Sequence, residues 1–388
     1  MASSMTDTDT VIVGASVAGL AVAACLSRAN VPYTLLEQSR EIAPAWRNHY
    51  DRLHLHTTKG LSHLPYLRFP RSVPRYPSRD QVIQYLEEYA RRFALAPRLA
   101  ERVVSVKRED GRWLTRSEAG SYRSHNVVVA TGFTQTPHRP AWPGLDSFTG
   151  PVLHSSEYRN GKAWSGRRVL VVGFGNSGGE IAIDLAEYGA RPSVAVRNAV
   201  NVVPRDFLGL PILVWGMALC LLPIGLADAI ARLVSRISLG RLERLGLAPL
   251  PYGAMTQIRR HARIPLIDIG TIGRIRRGQI EVLPEVTSFV ARGARFVDGV
   301  ERDFDCVVLA TGYRPSVATF LAPVAEALDA EGVPTASGAE TLPGLYFCGF
   351  HIAPGGMFFE IGREARRIAR AITRPAAFRQ VHARAQGH

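Results

Sequence analysis

An apolar strand that runs straight into a glycine-rich turn and then a helix leaves a chain few ways to fold, and this chain does it twice. Thr10–Val13 meets Gly14-Ala15-Ser16-Val17-Ala18-Gly19, helical composition follows over 18–29, and a short strand, Tyr33–Leu36, ends at Glu37. Arg168–Val172 then meets Gly173-Phe174-Gly175-Asn176-Ser177-Gly178, with a helix over 179–188 and a strand over 193–196 ending at Arg197. Each stretch has the length of a βαβ unit. In GxGxxG spacing the first glycine permits the tight turn. The second lets backbone approach a pyrophosphate, and the third lets the helix lie against the strand. The fold class expected is α/β, with two dinucleotide-binding (Rossmann-like) domains.

The two units differ where they would meet a nucleotide. The first has Ser16 in place of the second glycine, a small polar departure. Its second strand ends in Glu37, whose carboxylate can accept hydrogen bonds from a ribose and would repel a 2′-phosphate. That favours FAD, or NAD, over NADP. The second turn is intact, and its strand ends in Arg197. A guanidinium there can pair bidentately with a 2′-phosphate, which predicts NADPH. The competing reading of Arg197 is a plain surface arginine, since only three of the 47 basic residues (Lys59, Lys107 and Lys162) are lysines.

Two further apolar runs, 127–132 and 307–312, read as parallel strands buried on both faces. Both end in Ala-Thr-Gly followed by an aromatic: Thr131, Gly132 and Phe133, then Thr311, Gly312 and Tyr313. They read as crossings between a host domain and an inserted one. The expected division is 1–155 and 305–388 for the FAD domain, with an NADPH domain at 156–304 inserted into it. The last helix is expected from about Met357, where free N–H groups can face a negatively polarised ligand atom.

At 388 residues the chain has room for two to three domains. Polar residues 1–9 and a basic tail after Pro375 are expected to lie outside the packed structure. The formal net charge of +14 raises nucleic acid, anionic membrane and phosphorylated ligands as partners. No long basic run or recognised nucleic-acid module is present, so nucleic acid is not expected. Cys25, Cys220, Cys306 and Cys348 form no CxxC pair. That argues against zinc and against a redox dithiol, and fits a reducing cytoplasm. His54 and His56 alternate along an apparent strand, but with no third ligand nearby no metal is expected. The first apolar run, 11–13, is too short for a secretory leader.

Between the two units, residues 148–158 place Phe148, Gly150, His154 and Tyr158 in FxGxxxHxxxY spacing. This resembles the identifying motif of class B flavin monooxygenases. The tyrosine, where Baeyer–Villiger relatives carry tryptophan, favours the plain flavin-containing branch. The likeness extends along nearly the whole chain and is closest to YUCCA-like members. It is carried by Trp46, Tyr50 to Leu53, Leu55-His56, Lys59, a stretch over 69–90, Val203-Pro204-Arg205, 268–271 and 310–313. The resemblance implies FAD, NADPH and molecular oxygen, and it places Trp46, Arg52 and His56 near the flavin. It implies that Gly349 and Met357 face the flavin too, although the segment from Cys348 to Ala365 looks more like general bacterial members than plant ones.

In that family a peroxyflavin adduct, shielded by bound NADP⁺, oxidises a small-molecule substrate, and plant members convert indole-3-pyruvate to indole-3-acetate with loss of carbon dioxide. Two alternatives stay open: N- or S-oxygenation of a small amine or thioether, and a flavin/NADPH redox sensor without turnover. No catalytic side chain is assigned.

Residues 207–227 carry no charge. They are followed by Ile230, Leu233, Val234 and Ile237 at helical spacing, with Arg232 and Arg236 off that stripe. Three readings stand for this apolar insertion at about 207–245: a buried hairpin lining the substrate route, a peripheral membrane contact, and a transmembrane span.

Overall fold

Each βαβ unit grows into its own five-stranded sheet. The computed structural model describes residues 5–374. The basic tail after Pro375 therefore lies outside the described residues. Of the polar start, Met5–Asp7 is ordered and pairs in parallel with Ser121–Ser124.

The first sheet runs in the order Glu340–Leu342, Leu345–Phe347, Asn126–Val129, Thr10–Val13, Tyr33–Leu36. Side-chain alternation divides the Thr10–Val13 strand between two cores. Ile12 joins the cluster under the Val17–Arg28 helix, while Val11 and Val13 pack on the opposite face with Val127, Val129 and Phe347. The Met357–Thr373 helix covers the same face as Val17–Arg28 and contributes Ile361, Ala365 and Ile368 to that core.

The second sheet is wholly parallel, in the order Glu281–Leu283, Arg191–Ala195, Arg168–Val172, Cys306–Leu309, Val152–His154. This moves the expected boundaries. Val152–His154 and Cys306–Leu309, assigned from sequence to the first domain, hydrogen-bond into the second sheet. An apolar run buried on both faces suits the centre of either sheet, so composition could not decide between them. The chain crosses between domains at two strands that pair with each other: Tyr313 opposite Pro137 and Arg314 opposite Thr136.

The apolar insertion is neither one hairpin nor one span. A short hairpin over 206–211 leads into the Ile212–Leu219 helix, and a turn at Pro223 leads into Ile224–Leu239. No helix among the described residues is long and apolar enough to cross a membrane, which removes the transmembrane reading. Pro211 and Pro223 explain why: each stands just before a helix, at a position that ends any preceding one. Asp228 ties the insertion together. Its carboxylate accepts from the backbone N–H groups of Gly253 (3.2 Å), Met255 (2.9 Å) and Thr256 (3.1 Å), capping the Ala254–His261 helix. The strand expected around His54 and His56 is absent; only a single bridge, His54 to Ser78, forms there.

Candidate active site

Three cavities concern the site, and the two glycine turns each open onto one. At the first turn Gly14 has φ +104°, and a Cβ there would lie 2.9 Å from the Ala130 carbonyl oxygen. A Cβ on Gly19 would sit 1.7 Å from the Gly14 oxygen, so that glycine serves close helix packing rather than ligand contact. Gly14, Ser16, Glu37 and Thr131 line a cavity of about 640 Å³. Glu37 is 5% exposed. Its two oxygens accept from the Ala15 N–H at 2.7 Å and the Ser39 N–H at 2.9 Å, so the carboxylate holds the turn in shape before any ligand arrives. Ser16 caps the helix without a side-chain hydrogen bond, which leaves its hydroxyl available to the cleft.

The flavin fits this cavity by an observation independent of motif. His49 Nδ1 and Thr131 Oγ1, both on cavity-lining residues, are buried without a hydrogen-bond partner among the described residues. Buried polar atoms left open in this way are what a polar ligand would satisfy. Burial lowers the His49 pKa from 6.5 to about 4, so the ring enters the site neutral. Asn48, His49 and Gln135 were not legible in the sequence as site residues. They reach the cleft from loops with no motif of their own.

At the second turn Gly173 has φ +107°, matching Gly14, and a Cβ on Gly178 would lie 2.0 Å from the Gly173 oxygen. A Cβ on Gly175 would meet nothing within 4 Å, which leaves room for a pyrophosphate against the backbone. Gly173, Arg197 and Thr311 line a cavity of about 300 Å³ with His138. Arg197 is exposed and forms no ion pair among the described residues. His138 is pushed towards the neutral form by burial, then by Arg314 and Arg197. An unpaired guanidinium at the strand end suits a 2′-phosphate.

The third cavity, about 310 Å³, is almost wholly apolar and draws on both domains and the insertion. Trp46, His56, Met357 and Phe358 come from the first domain, Asn176 from the second glycine turn, Leu213, Trp215 and Ile230 from the insertion, and Met255 from the helix that Asp228 caps. Trp46 packs edge-on against Phe358 at 5.9 Å. The Asn176 amide is fixed by Pro265 O (3.3 Å) and the Ile267 N–H (2.8 Å). Behind His56 stands Glu180, 1% exposed, which accepts from Tyr50 Oη at 3.0 Å and lies 3.3 Å from His56 Nε2. Its second oxygen is buried without a partner among the described residues. Tyr50 also touches Ser177, and burial followed by Glu180 keeps its phenol protonated. This network joins the two domains directly behind the cavity.

Not every expected site residue lies in a cleft. Arg52 lines none of the three and instead pairs with Glu187 of the second domain. Gly132 and Gly312 sit at the crossings with φ +68° and +82°. Gly349 (φ +88°) donates its N–H to Glu364 at 2.7 Å and packs on Ala18.

The 148–158 motif proves architectural. Phe148 is in the second domain's core, and the wholly buried His154 donates from Nε2 to the Gly312 carbonyl at 3.0 Å. Nδ1 accepts from the Ser156 N–H at 3.2 Å, so the ring is the neutral Nε2–H tautomer, and burial favours that form. Tyr158 donates to Asp184 at 2.6 Å. Phe148, His154 and Tyr158 line none of the three cavities, and the His154 bond to Gly312 fixes the joint between domains. Among the described residues no cluster could hold a metal ion.

A nucleotide cleft at each glycine turn, an apolar cavity lined from both domains, and no cysteine pair among four free thiols together fit a two-nucleotide flavin monooxygenase. Residues 11–205 match the pyridine nucleotide-disulphide oxidoreductase family. A flavin-containing monooxygenase variant from Stenotrophomonas maltophilia superposes with a TM-score of 0.73 at 25% identity, over 95% of this chain and 99% of that one. An NADP-bound steroid monooxygenase shares the fold with a TM-score of 0.75 at 19% identity, over 95% of this chain and 86% of that one.

The chain belongs, within that class, to the YUCCA family of flavin monooxygenases. It is 43% identical to the probable indole-3-pyruvate monooxygenase YUCCA4 of Arabidopsis thaliana over 80% of this chain and 77% of that protein. It is 40% identical to the indole-3-pyruvate monooxygenase YUCCA1 of Oryza sativa subsp. japonica, over 88% and 86%. The protein is a monooxygenase, and its cofactors are FAD and NADPH.

Proposed function

We propose that this monooxygenase oxidatively decarboxylates an aryl-pyruvate-like 2-oxo acid such as indole-3-pyruvate, the substrate named for its relatives. One 2-oxo acid, one NADPH, one proton and one O2 become the carboxylic acid one carbon shorter, carbon dioxide, NADP⁺ and water. The observation that carries this reading is the 310 Å³ apolar cavity, with His56 and Asn176 among its few polar groups. An aromatic side chain fills such a space, and a sparse polar set orients the keto acid.

Gly14, Ser16, Glu37, His49 and Thr131 would hold the FAD. Gly173, Gly175 and Arg197 would hold the NADPH. The bound flavin would supply the oxygen-activating chemistry. The chain's own task is to align and to keep water out. Trp46, Leu213, Trp215, Met357 and Phe358 wall the cavity, while Glu180 and Tyr50 fix the orientation of His56. The insertion at 207–245 also makes a peripheral membrane contact in this reading.

The test is a panel of keto acids, amines and thioethers with the holoenzyme under ¹⁸O2. NADPH loss coupled to carbon dioxide release and one labelled oxygen in the acid product is the expected result for aryl pyruvates. Coupled turnover of amines or thioethers alone, with keto acids inert, would replace the proposal by N- or S-oxygenation.

A further inference from the structure

The Ile224–Leu239 helix has two apolar faces and needs only one for the fold. Its inner face carries Ala227 and Val234, which are buried, and Ile230 and Ala231, which line the substrate cavity. Its outer face carries Leu226, Leu233 and Ile237, which are 52%, 58% and 65% exposed. At about 100° per residue these three fall within about 40° of one another, with Ala229 beside them. Leu221, in the turn that precedes the helix, is 88% exposed. The helix's single acid, Asp228, points inward to its capping role.

Beside this stripe the surface changes character. A cleft of about 550 Å³ is lined by Arg232, Arg236, Arg241 and Arg244, with Asn201, Ser235 and one acid, Glu243. None of the four arginines forms an ion pair among the described residues; Arg232 only reaches the Pro251 carbonyl at 3.3 Å. Arg232 and Arg236 stand on the helix itself; at about 100° per residue Arg236 lies about 80° round from the centre of the leucine stripe and Arg232 about 120° on the same side.

We propose that this stripe and the unpaired arginines flanking it form a docking site for an anionic phospholipid bilayer: leucine and isoleucine enter the acyl boundary while the arginines reach the phosphate headgroups. The proposal deepens, and rests on, the peripheral-membrane reading above. Apolar area facing the acyl boundary, and long cationic side chains flanking it that can reach up to the headgroups, are the two terms that hold a monotopic helix at an interface. Nucleic acid uses the arginines but not the exposed leucines. A two-fold pairing with a second copy buries the leucines but sets each copy's arginine edge near the other's. Docking here would also bring the outer wall of an apolar cavity to the lipid surface, since the same helix forms both.

The holoenzyme is sedimented with phosphatidylcholine vesicles and with vesicles carrying phosphatidylglycerol. It should bind the anionic vesicles, release in high salt, and bind neutral vesicles weakly. Leu233→Glu with Ile237→Glu should abolish binding. Arg236→Gln and Arg241→Gln should weaken it roughly fivefold each. None of these residues lines the substrate cavity, so NADPH oxidation with a water-soluble substrate should stay at the parent rate, which also shows that the variants fold. Absence of binding to anionic vesicles overturns the proposal. So does equal, salt-insensitive binding to neutral ones, or a concentration-dependent dimer that the double glutamate variant dissolves. A failure of the keto-acid assay leaves the vesicle result standing, so the two readings fail separately.

Discussion

Replacing Glu37 with glutamine changes one atom and should cost the enzyme most of its grip on FAD. The carboxylate is nearly buried and its two oxygens face two backbone donors, Ala15 N–H at 2.7 Å and Ser39 N–H at 2.9 Å. An amide can offer an acceptor to only one of them. The other donor then meets an NH2 group, so a charge-assisted bond worth about 1.5–3 kcal/mol is lost and a buried donor is left unpaired at about 1–3 kcal/mol more. Part of this falls on the empty turn, because both bonds exist without the ligand. The apoprotein should melt a few degrees lower. The remainder falls on binding, where about 3 kcal/mol corresponds to a Kd for FAD raised on the order of a hundredfold. Titration of apoprotein with FAD, followed by flavin fluorescence, reads the second quantity, and a thermal melt reads the first. Glu37→Asp should sit between parent and glutamine, since it keeps the charge but shortens the reach. A glutamine variant that melts like the parent and binds FAD within twofold of it would show that the carboxylate does not organise the turn.

The two inner glycines of the second turn should respond oppositely. Gly175→Ala should fold normally, because its Cβ meets nothing, yet raise KM for NADPH by about tenfold through crowding of the pyrophosphate. Gly178→Ala puts a methyl 2.0 Å from the Gly173 oxygen and should fail to give soluble holoenzyme; a normal yield of it would contradict the packing described. Arg197→Ala should lower the NADPH-to-NADH preference tenfold to a few hundredfold, from about 1.5–3 kcal/mol for a charge-assisted contact, and an unchanged kcat/KM ratio for the two coenzymes would remove Arg197 from the site. His49 makes apoprotein stability depend on acid. Its pKa is about 4 when folded against 6.5 ordinarily, so the unfolded chain takes up the proton first. Stability is full above pH 6.5 and falls as pH drops from 6.5 towards 4, by up to about 3 kcal/mol. Urea midpoints across that window should flatten in His49→Asn, and parallel curves for the two proteins would deny His49 the role.

Much of this architecture is local, and local features can be read along a chain. The strands Thr10–Val13, Tyr33–Leu36 and Arg168–Val172 and the helix start at Met357 lie where short apolar runs and glycine place them. The charge difference between Glu37 and Arg197 follows from strand ends that any βαβ unit presents. These depend on backbone geometry within a few residues, so composition carries them.

Tertiary structure decided what depends on distant partners. Only strand pairing shows that Val152–His154 and Cys306–Leu309 belong to the second sheet, because a run buried on both faces fits either. Only folding brings His49 beside Thr131, or sets Glu180 against a tyrosine 130 residues away. The apolar insertion shows the same limit. Its residues fall on helical spacing in the sequence, but which leucines turn to the cavity and which to the outside is set by the neighbours they pack against, and hydrophobicity along a chain carries no record of those neighbours.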